Sequence, residues 1–191
     1  MRKIGAVVLA AGGSSRLGRP KQLLSFRGET LVRRAVRAAT EAQCDPVIVV
    51  IGPDGEAIRD ELRATSALLV ENAEWQNGLG TSIRCGLHQC ADSIDAIVLL
   101  ACDQPLVNAT VVAALIAAHE KTGKPIVASS YAETVGIPAL FDRSCFEALL
   151  ALPDNSGAKS LIAARPDDVA SILFEGGAVD IDTPEDFERL R

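Results

Sequence analysis

The sequence of 191 residues predicts an α/β fold, a three-layer sandwich in which helices cover both faces of a mostly parallel sheet. Segments with strand and helix patterns alternate along the chain, which is the order that produces parallel strands. The predicted strands, beginning with residues 4–10, are continuous apolar runs, as expected for strands that are buried on both sides. Because the chain shows neither a repeat nor a clear linker, we expect residues 1–191 to form one domain.

The first half of the chain opens with that apolar strand and a glycine-rich loop, and an amphipathic helix is predicted at 30–42. The apolar side of this helix includes Leu31, Val32, Ala35 and Val36, whose spacing matches one face of a helix. The other elements of this half follow from the same two patterns. They are strands at 46–51 and 67–71, and helices at 55–63 and 80–90.

The second half continues the alternation, with an apolar strand at 95–101. The closing helix at 183–190 begins Thr-Pro-Glu-Asp, which supplies an N-cap, a proline at the first helical position and early acidic residues. The remaining predicted elements are helices at 109–121, 142–152 and 156–164, and strands at 125–129 and 169–174.

The composition is typical of a globular protein, with 48% hydrophobic and 23% charged residues. No apolar run approaches the roughly 18–20 residues needed to span a bilayer. Five cysteines, an odd number without a Cys-x-x-Cys pair, indicate free thiols in a reducing cytoplasm. A net charge of −6 argues against nonspecific nucleic-acid binding. We therefore expect a cytoplasmic protein with no nucleic-acid and no membrane partner.

Positive charge is concentrated near the N-terminus. Residues 1–40 hold nine of the 19 Lys and Arg residues but only one of the 25 acidic residues. The arginines on the polar side of the helix at 30–42 are interpreted as a solvated surface. The loop residues Arg16, Arg19 and Lys21 are not explained in this way, and they indicate a local anion site.

The loop after the first strand reads Leu-Ala-Ala-Gly-Gly-Ser-Ser-Arg-Leu-Gly-Arg-Pro-Lys over 9–21. It lacks the Gly-x-Gly-x-x-Gly dinucleotide fingerprint. Residues 13–18 have the glycine spacing of a P-loop, but Arg19-Pro20 stand where that motif requires Lys and Ser/Thr. Small residues at 10–15 let backbone N–H groups approach an anion closely. With Arg16 and Lys21 to neutralise charge, the loop is predicted to bind a triphosphate; the alternative is an ordinary glycine-rich turn.

Four further motifs follow this loop, whose own pattern extends to Leu-Leu at 23–24. They are Asn-x-x-Trp-x-x-Gly-Leu-Gly-Thr-Ser-x-x-x-Gly at 72–86, Leu-x-x-Asp-Gln-Pro at 100–105, Gly-x-Pro-x-Leu-Phe at 136–141 and Asp-x-Asp-Thr-Pro-Glu-Asp at 180–186. In this order, the five motifs resemble those of the nucleotidyltransferases that build the dinucleotide forms of the molybdenum cofactor. The sequence is most similar to the molybdenum cofactor cytidylyltransferase branch.

The resemblance implies a Rossmann-like fold of the nucleotide-diphospho-sugar transferase type and a Mg²⁺-dependent reaction. In that reaction CMP passes from CTP to molybdopterin, and pyrophosphate is released. A molybdoenzyme that receives the product is a further partner that the resemblance implies. The alternatives are GTP as the donor, a sugar or polyol phosphate as the acceptor, or a noncatalytic chaperone that carries the cofactor.

The resemblance also implies roles for individual residues. Arg16, Lys21 and Asp103 are expected to be catalytic, and Asp103 and Asp182 to hold Mg²⁺. Gly80, Thr81 and Ser82 are expected to contact the base and ribose. The full set of expected nucleotide-binding residues is Leu9, Ala10, Ala11, Gly12, Gly13, Lys21, Gly80, Thr81 and Ser82.

The two metal candidates also suit the chemistry of nucleotidyl transfer. Two anions must meet, so charge neutralisation and positioning carry most of the catalysis. Mg²⁺ usually takes one or two protein carboxylates beside substrate phosphates. Asp103 directly follows an apolar strand, where ligands bind in such sheets, although a turn or helix cap with Pro105 is the alternative. The alternative for Asp182 is that it only forms part of the start of a helix. Asp180 is the competing candidate for the second metal ligand.

Two departures from the family pattern lie in the half expected to hold the acceptor. Relatives often have Gly-Asp-x-Gly-Ala-Arg where this chain has Asp-Asn-Ser-Gly-Ala-Lys at 154–159, and His where it has Ile137. At the base site, Ala11 replaces a glycine of guanylyltransferase relatives, and its methyl group favours a smaller pyrimidine. Trp75, the only tryptophan, is interpreted as a core residue rather than as a wall of the acceptor pocket.

Overall fold

The structure, a computed structural model, describes residues 2–14, 17–53 and 55–190. Within these residues, a seven-stranded sheet and a separate two-stranded hairpin are formed. The strands are β1 (Ile4–Ala10), β2 (Ser25–Phe26), β3 (Glu29–Thr30), β4 (Val47–Ile51), β5 (Leu68–Glu71), β6 (Ala96–Ala101), β7 (Ile126–Tyr131), β8 (Thr134–Asp142) and β9 (Val169–Leu173). The α-helices are α1 (Leu31–Glu41), α2 (Glu56–Leu62), α3 (Leu79–His88), α4 (Ala109–Thr122), α5 (Phe146–Leu150), α6 (Ala158–Ala164) and α7 (Pro184–Arg189). None of the helices in these residues is long and apolar enough to cross a membrane.

The main sheet has the strand order β5-β4-β1-β6-β8-β7-β9, with β1 near its centre. Strand β1 pairs in parallel with β4 on one side and with β6 on the other. The remaining pairs are also parallel, except those that β8 makes with β6 and β7. The sheet is therefore mostly parallel, and the predicted α/β class is confirmed.

Alternate side chains of β1 enter two different cores. Ala6, Val8 and Ala10 pack in a cluster that includes residues of α1, α2 and α4. Val7 and Leu9 point to the opposite face, into a cluster that includes residues of α3, α5 and α6. Because both faces are covered, the strand is buried along its whole length, and the structure is a Rossmann-like three-layer sandwich.

A smaller apolar cluster joins the loop after β1 to the C-terminal segment. Its buried members are Leu17, Leu24, Phe26, Leu31, Ile181 and Phe187. The backbone N–H of Ile181 also donates to the carbonyl oxygen of Asp103 at 3.0 Å. Packing and this hydrogen bond therefore hold the C-terminal segment against the end of β6 and the loop after β1.

Strand β8 and the hairpin of β2 and β3 are absent from the elements predicted from sequence. Strand β8 contains Gly136 and Pro138, residues that weaken a strand pattern. Its register against β7 shifts between Ala128 and Ser129, and such an irregularity accommodates a proline that lacks a backbone N–H. The two strands of the hairpin have two residues each, too few to show a periodic pattern.

The helix predicted at 142–152 is wrong at its start. Asp142 is the last residue of β8, and a 3₁₀ turn over Arg143–Cys145 separates it from α5. The carboxylate of Asp142 accepts a hydrogen bond from the backbone N–H of Ser144 at 2.9 Å, which caps this turn. Since Asp is a favourable cap, the same residue both ends the strand and starts the helical segment.

The five cysteines are free thiols, and all but Cys85 are buried. Burial raises the pKa of Cys44 to about 12 and that of Cys90 to about 11. These two thiols are therefore protonated at neutral pH and behave as small apolar core residues.

Candidate active site

The candidate site lies where the chain changes direction across the sheet. After β1 the chain continues to β4 on one side, and it later returns to β6 on the other side of β1. In open α/β sheets this arrangement opens a crevice at the carboxyl ends of the two strands that flank the switch. The glycine-rich loop follows β1, and Asp103 follows β6, so both reach this crevice.

The loop after β1 is held in shape by the buried side chain of Gln22. Its Nε2 atom donates to the carbonyl oxygens of Ala10 at 2.7 Å and of Gly12 at 2.8 Å. The hydroxyl of Ser14 accepts a hydrogen bond from the backbone N–H of Lys21 at 2.9 Å. Carbonyl oxygens repel phosphate groups, so their engagement by Gln22 makes the loop a better anion site.

Three charged side chains meet beside this loop, although they are far apart in sequence. The Lys21 ammonium contacts Asp103 Oδ2 at 2.5 Å and Asp182 Oδ1 at 3.0 Å. The exposed fractions of these side chains are 14% for Lys21, 23% for Asp103 and 39% for Asp182, so solvent screens the pairs only in part. Burial disfavours the charged lysine, but the charge of Asp103 and the hydrogen bonds to both carboxylates outweigh it and raise the pKa of Lys21. Lys21 is therefore a cation at any physiological pH.

Asp180 lies close to the same cluster. It lines a cavity with Asp103, and its carboxyl group is close enough to both other aspartates to be affected by their charges. Partial burial among the cavity atoms and repulsion by Asp103 and Asp182 raise the pKa of Asp180 to about 6. Of the two candidates for the second carboxylate, Asp182 is the one that contacts the same ammonium as Asp103.

Two cavities meet at the loop. Cavity 1, of about 410 Å³, is lined by residues 10–14 and 18–20, by Gly52 and Pro53 after β4, and by Trp75. Cavity 2, of about 340 Å³, is lined by Lys21, Asp103, Gln104, Tyr131, Ile137 and Asp180, among others. Ala11 and Gly12 line both cavities. A ligand that lies over these two residues can therefore reach from cavity 1 to the charged cluster.

Most of the residues predicted to bind nucleotide lie around these cavities. Leu9, Lys21, Ser82 and Asp103 line cavity 2, and the segment 10–13 lines cavity 1. Arg16 lies outside the described residues. Gly80 and Thr81 line neither cavity. Thr81 instead donates its hydroxyl to the carbonyl oxygen of Gly78 at 2.8 Å and accepts from Asn72 Nδ2 at 2.8 Å, so its polar atoms hold the start of α3.

Gly80 has a packing role at the same helix start. Its backbone N–H donates to the carbonyl oxygen of Asp154 at 2.9 Å. A Cβ atom at this position would lie 2.2 Å from the carbonyl oxygen of Pro153. The glycine thus allows α3 to pack directly on the segment 153–156, which positions Ser82 in the wall of cavity 2.

Gly80→Ala is expected to lower the free energy of unfolding by roughly 2 kcal/mol, because the clash with backbone exceeds the gain in helix propensity. The measurement is urea denaturation at equilibrium. Gly12→Ala is the matched control, since a Cβ atom there has no other atom within 4 Å. Equal stability of the two variants would show that α3 can move away from the segment 153–156 without cost.

Trp75 lies at the edge of a core and at the wall of cavity 1. It packs partly buried against the core on the α3 side of the sheet. A Cβ atom at Gly13 would lie 2.5 Å from Trp75 Cη2, so the indole ring rests directly on the loop backbone. The interpretation of Trp75 as a core residue therefore describes only one of its two environments. Trp75 does not line cavity 2, the cavity that contains Lys21 and Asp103.

The donor atoms present suit a magnesium ion that also binds a phosphate substrate. In the described part of the chain, no group of three or more His, Cys, Asp and Glu side chains is arranged to hold a metal by itself. Asp103 and Asp182 nevertheless share one cationic partner, which shows that the space between them accepts positive charge. Mg²⁺ commonly binds through one or two carboxylates and completes its shell with water and substrate phosphates. The two aspartates thus fit such an ion.

Three site features were not expected from sequence: the loop brace by Gln22, and the positions of Gln104 and Tyr131 in cavity 2. The signal that could have indicated the glutamines is their place in the motifs, since each directly follows a predicted site residue, Lys21 or Asp103. Sequence does not show which backbone groups a side-chain amide contacts, so the bracing role itself required the structure. Tyr131 gave no signal in the sequence pattern.

Comparisons with known proteins identify the family of this chain. Residues 6–169 match the family described as MobA-like NTP transferase domain. Nicotine blue oxidoreductase of Paenarthrobacter nicotinovorans is 29% identical over 196 residues, which cover 98% of this chain and 96% of that protein. The purine catabolism protein PucB of Bacillus subtilis (strain 168) is 30% identical over 200 residues, which cover 97% and 94%. The crystal structure of Rv0371c from Mycobacterium tuberculosis H37Rv in complex with manganese is 30% identical, with a TM-score of 0.80 and coverage of 99% and 97%.

Proposed function

Because the chain belongs to the family of MobA-like NTP transferase domains and is a nucleotidyltransferase, we propose that it transfers CMP from CTP to molybdopterin. The observation that supports this most is the meeting of Lys21, Asp103 and Asp182 beside the glycine-rich loop. In this cluster, Lys21 is a cation that can bind phosphate, and the two aspartates are carboxylates that can bind a metal ion. The cluster lies at the switch point of the sheet, where ligands bind in folds of this class.

In this proposal the nucleotide lies across Ala11 and Gly12, the residues that line both cavities. Backbone N–H groups of the segment 10–13 bind its triphosphate, and Lys21 and Arg16 neutralise part of the charge. When Lys21 binds phosphate oxygens, its ammonium moves away from Asp103 and Asp182, and a divalent ion takes its place beside these carboxylates. Positive charge therefore remains near the carboxylates throughout the cycle.

The acceptor occupies the part of cavity 2 that is lined by Tyr131 and Ile137. One of its phosphate oxygens attacks the α-phosphorus of CTP. The bond from the α-phosphorus to the oxygen that bridges to the β-phosphate breaks, and pyrophosphate leaves with that electron pair. Negative charge shifts towards the leaving pyrophosphate during this step, and Lys21 neutralises part of that charge. The loop holds the α-phosphorus in line with the attacking oxygen.

Asp103 and Asp182 are the residues that we propose to hold Mg²⁺, with Asp180 as the competing second ligand. When bound, the ion supplies positive charge that neutralises the triphosphate. The manganese complex of Rv0371c, a relative at 30% identity, supports a divalent ion in proteins of this type. For the base, Ala11 supports CTP, because it lies where the two cavities meet and carries a methyl group in the place of a glycine.

The test is a screen of pyrophosphate release. CTP, GTP, ATP and UTP are each combined with molybdopterin, ribose 5-phosphate or glycerol 3-phosphate in the presence of Mg²⁺. We expect CTP with molybdopterin to give the highest kcat/KM, and EDTA to stop the reaction. A clear preference for GTP would overturn the base assignment, and a preference for ribose 5-phosphate or glycerol 3-phosphate would overturn the acceptor. If the protein binds molybdopterin but releases no pyrophosphate with any nucleotide, it is instead a noncatalytic carrier of the cofactor.

Gln22→Met is expected to raise the KM for CTP about tenfold, a loss of roughly 1.4 kcal/mol in binding free energy. The variant frees the carbonyl oxygens of Ala10 and Gly12, which then repel the triphosphate. Steady-state kinetics with varied CTP measure the effect. Gln89→Met, at the exposed C-terminal end of α3, is the matched control and should leave the KM unchanged. An unchanged KM in both variants would remove Gln22 from the description of the loop.

A further inference from the structure

Gln104 presents an unusual buried group in the wall of cavity 2. The residue is only 6% exposed, and it follows Asp103 directly in the chain. Its Oε1 atom is buried and has no hydrogen-bond partner; among the residues that the structure describes, no other buried side-chain nitrogen or oxygen is in this state. Buried polar atoms in folded proteins nearly always have a partner, so this exception requires an explanation.

The orientation of the Gln104 amide is fixed by its nitrogen. Nε2 donates to the carbonyl oxygen of Gly177 at 3.0 Å and to that of Ile137 at 3.2 Å. If the amide were turned over, its oxygen would face these two carbonyl oxygens, and all three would repel one another. Oε1 is therefore the atom left without a partner, and a group that satisfies it must be a hydrogen-bond donor.

The side chains around Gln104 do not supply that donor. The hydroxyl of Tyr131 donates to the carbonyl oxygen of Ile137 at 3.2 Å. Ile137 itself lines the cavity with an aliphatic side chain, which has no donor. Asp180 lines the same cavity but forms no hydrogen bond with Oε1. No side chain of the described residues donates to Oε1, and an N–H or O–H group of a ligand in cavity 2 would supply the missing donor.

We propose that Gln104 Oε1 recognises the acceptor substrate by accepting a hydrogen bond from one of its N–H or O–H groups. This inference rests on the proposed function, because it assigns the acceptor to cavity 2. It narrows the acceptor to molecules that carry such a donor and excludes simple phosphate monoesters with apolar substituents. The ring N–H groups of a pterin meet this requirement. Gln104 also stabilises the cavity wall through Nε2, so its two amide atoms have separate roles.

The test compares the wild type with Gln104→Met, which preserves side-chain length and removes both polar atoms. The KM for molybdopterin and the KM for CTP are measured separately. We expect the KM for molybdopterin to rise at least about tenfold and the KM for CTP to change less than about twofold. The dissociation constant of molybdopterin, measured from the fluorescence of its pterin without CTP, should rise by the same factor.

Ser129→Ala is the matched control for the loss of bracing. Ser129 Oγ donates to the carbonyl oxygen of Pro138 at 2.7 Å, which is the same kind of bond to the residue next to Ile137, but Ser129 lines neither cavity. We expect this variant to melt at a lower temperature while its ratio of the two KM values stays at the wild-type value. A ratio that rises as much in Ser129→Ala as in Gln104→Met would assign the effect to the loosened strand and overturn the proposal.

The remaining outcomes separate this inference from the proposed function. If CTP and molybdopterin release no pyrophosphate, the proposed reaction fails, and the binding measurement still decides the role of Gln104. If the reaction proceeds but Gln104→Met binds molybdopterin as tightly as the wild type, only the role of Gln104 fails. A wild type that does not bind molybdopterin would overturn both.

Discussion

An Asp103→Asn enzyme is expected to release pyrophosphate at least about 100-fold more slowly than the wild type, the scale on which the loss of one preorganised electrostatic group is felt. The substitution keeps the shape of the side chain and removes its negative charge. Asp103 Oδ2 lies 2.5 Å from the Lys21 ammonium, at the point where cavity 2 meets the loop. Its position at the end of β6 is set by a strand that is buried over most of its length, so the effect should fall on chemistry and not on the fold.

The measurement is kcat for pyrophosphate release at saturating CTP and molybdopterin, with the melting temperature as a check on the fold. Asp92→Asn is the matched control, since Asp92 is exposed in a 3₁₀ turn before β6 and lines neither cavity. It should retain wild-type kcat. A kcat of Asp103→Asn within a few fold of the wild type would remove Asp103 from the mechanism, and indifference to this change is also what a noncatalytic carrier predicts.

Lys21→Met is expected to have opposite effects on the two ligands. The KM for CTP should rise at least about tenfold, because a cation that is largely buried beside the loop is lost. Binding of a divalent ion in the absence of nucleotide should become stronger. The ammonium now contacts both Asp103 and Asp182, so it competes with any other cation for these carboxylates. Without it, two adjacent negative charges attract the ion more strongly.

Titration of Mn²⁺ into the nucleotide-free protein, followed by the electron paramagnetic resonance of free Mn²⁺, measures the second effect. Kinetics with varied CTP measure the first. Lys121→Met, at an exposed position near the end of α4, is the control for loss of a positive charge elsewhere. Weaker Mn²⁺ binding in Lys21→Met than in Lys121→Met would show that the ammonium and the metal ion do not share Asp103 and Asp182.

The layers of the fold could be predicted from sequence because buried parallel strands leave a strong signal. Strands β1, β4 and β6 are apolar throughout, since each is covered on both faces. Strand β8 could not be recognised in the same way, because Gly136 and Pro138 interrupt its pattern and a register shift accommodates them. Its antiparallel insertion between β6 and β7 is a tertiary feature that no local pattern encodes.

The parts of the candidate site that could be predicted from sequence are those whose residues directly follow a strand in the chain. The glycine-rich loop and Asp103 both follow apolar strands, so the topology alone brings them to the same crevice. The approach of Asp182 to Lys21 depends on the packing of Ile181 and on its bond to the Asp103 carbonyl oxygen, which the sequence does not show; only the family resemblance indicated that residue. The contacts of Thr81 likewise became visible only in the structure.

The most direct measurement of the central claim is a crystal structure with Mn²⁺ and a CTP analogue in which a methylene group replaces the oxygen between the α- and β-phosphates. We predict an anomalous manganese signal in direct contact with the carboxylates of Asp103 and Asp182, with the triphosphate bound by the backbone N–H groups of residues 10–13. A manganese ion bound away from Asp103, or a triphosphate that does not touch the loop after β1, would contradict this account.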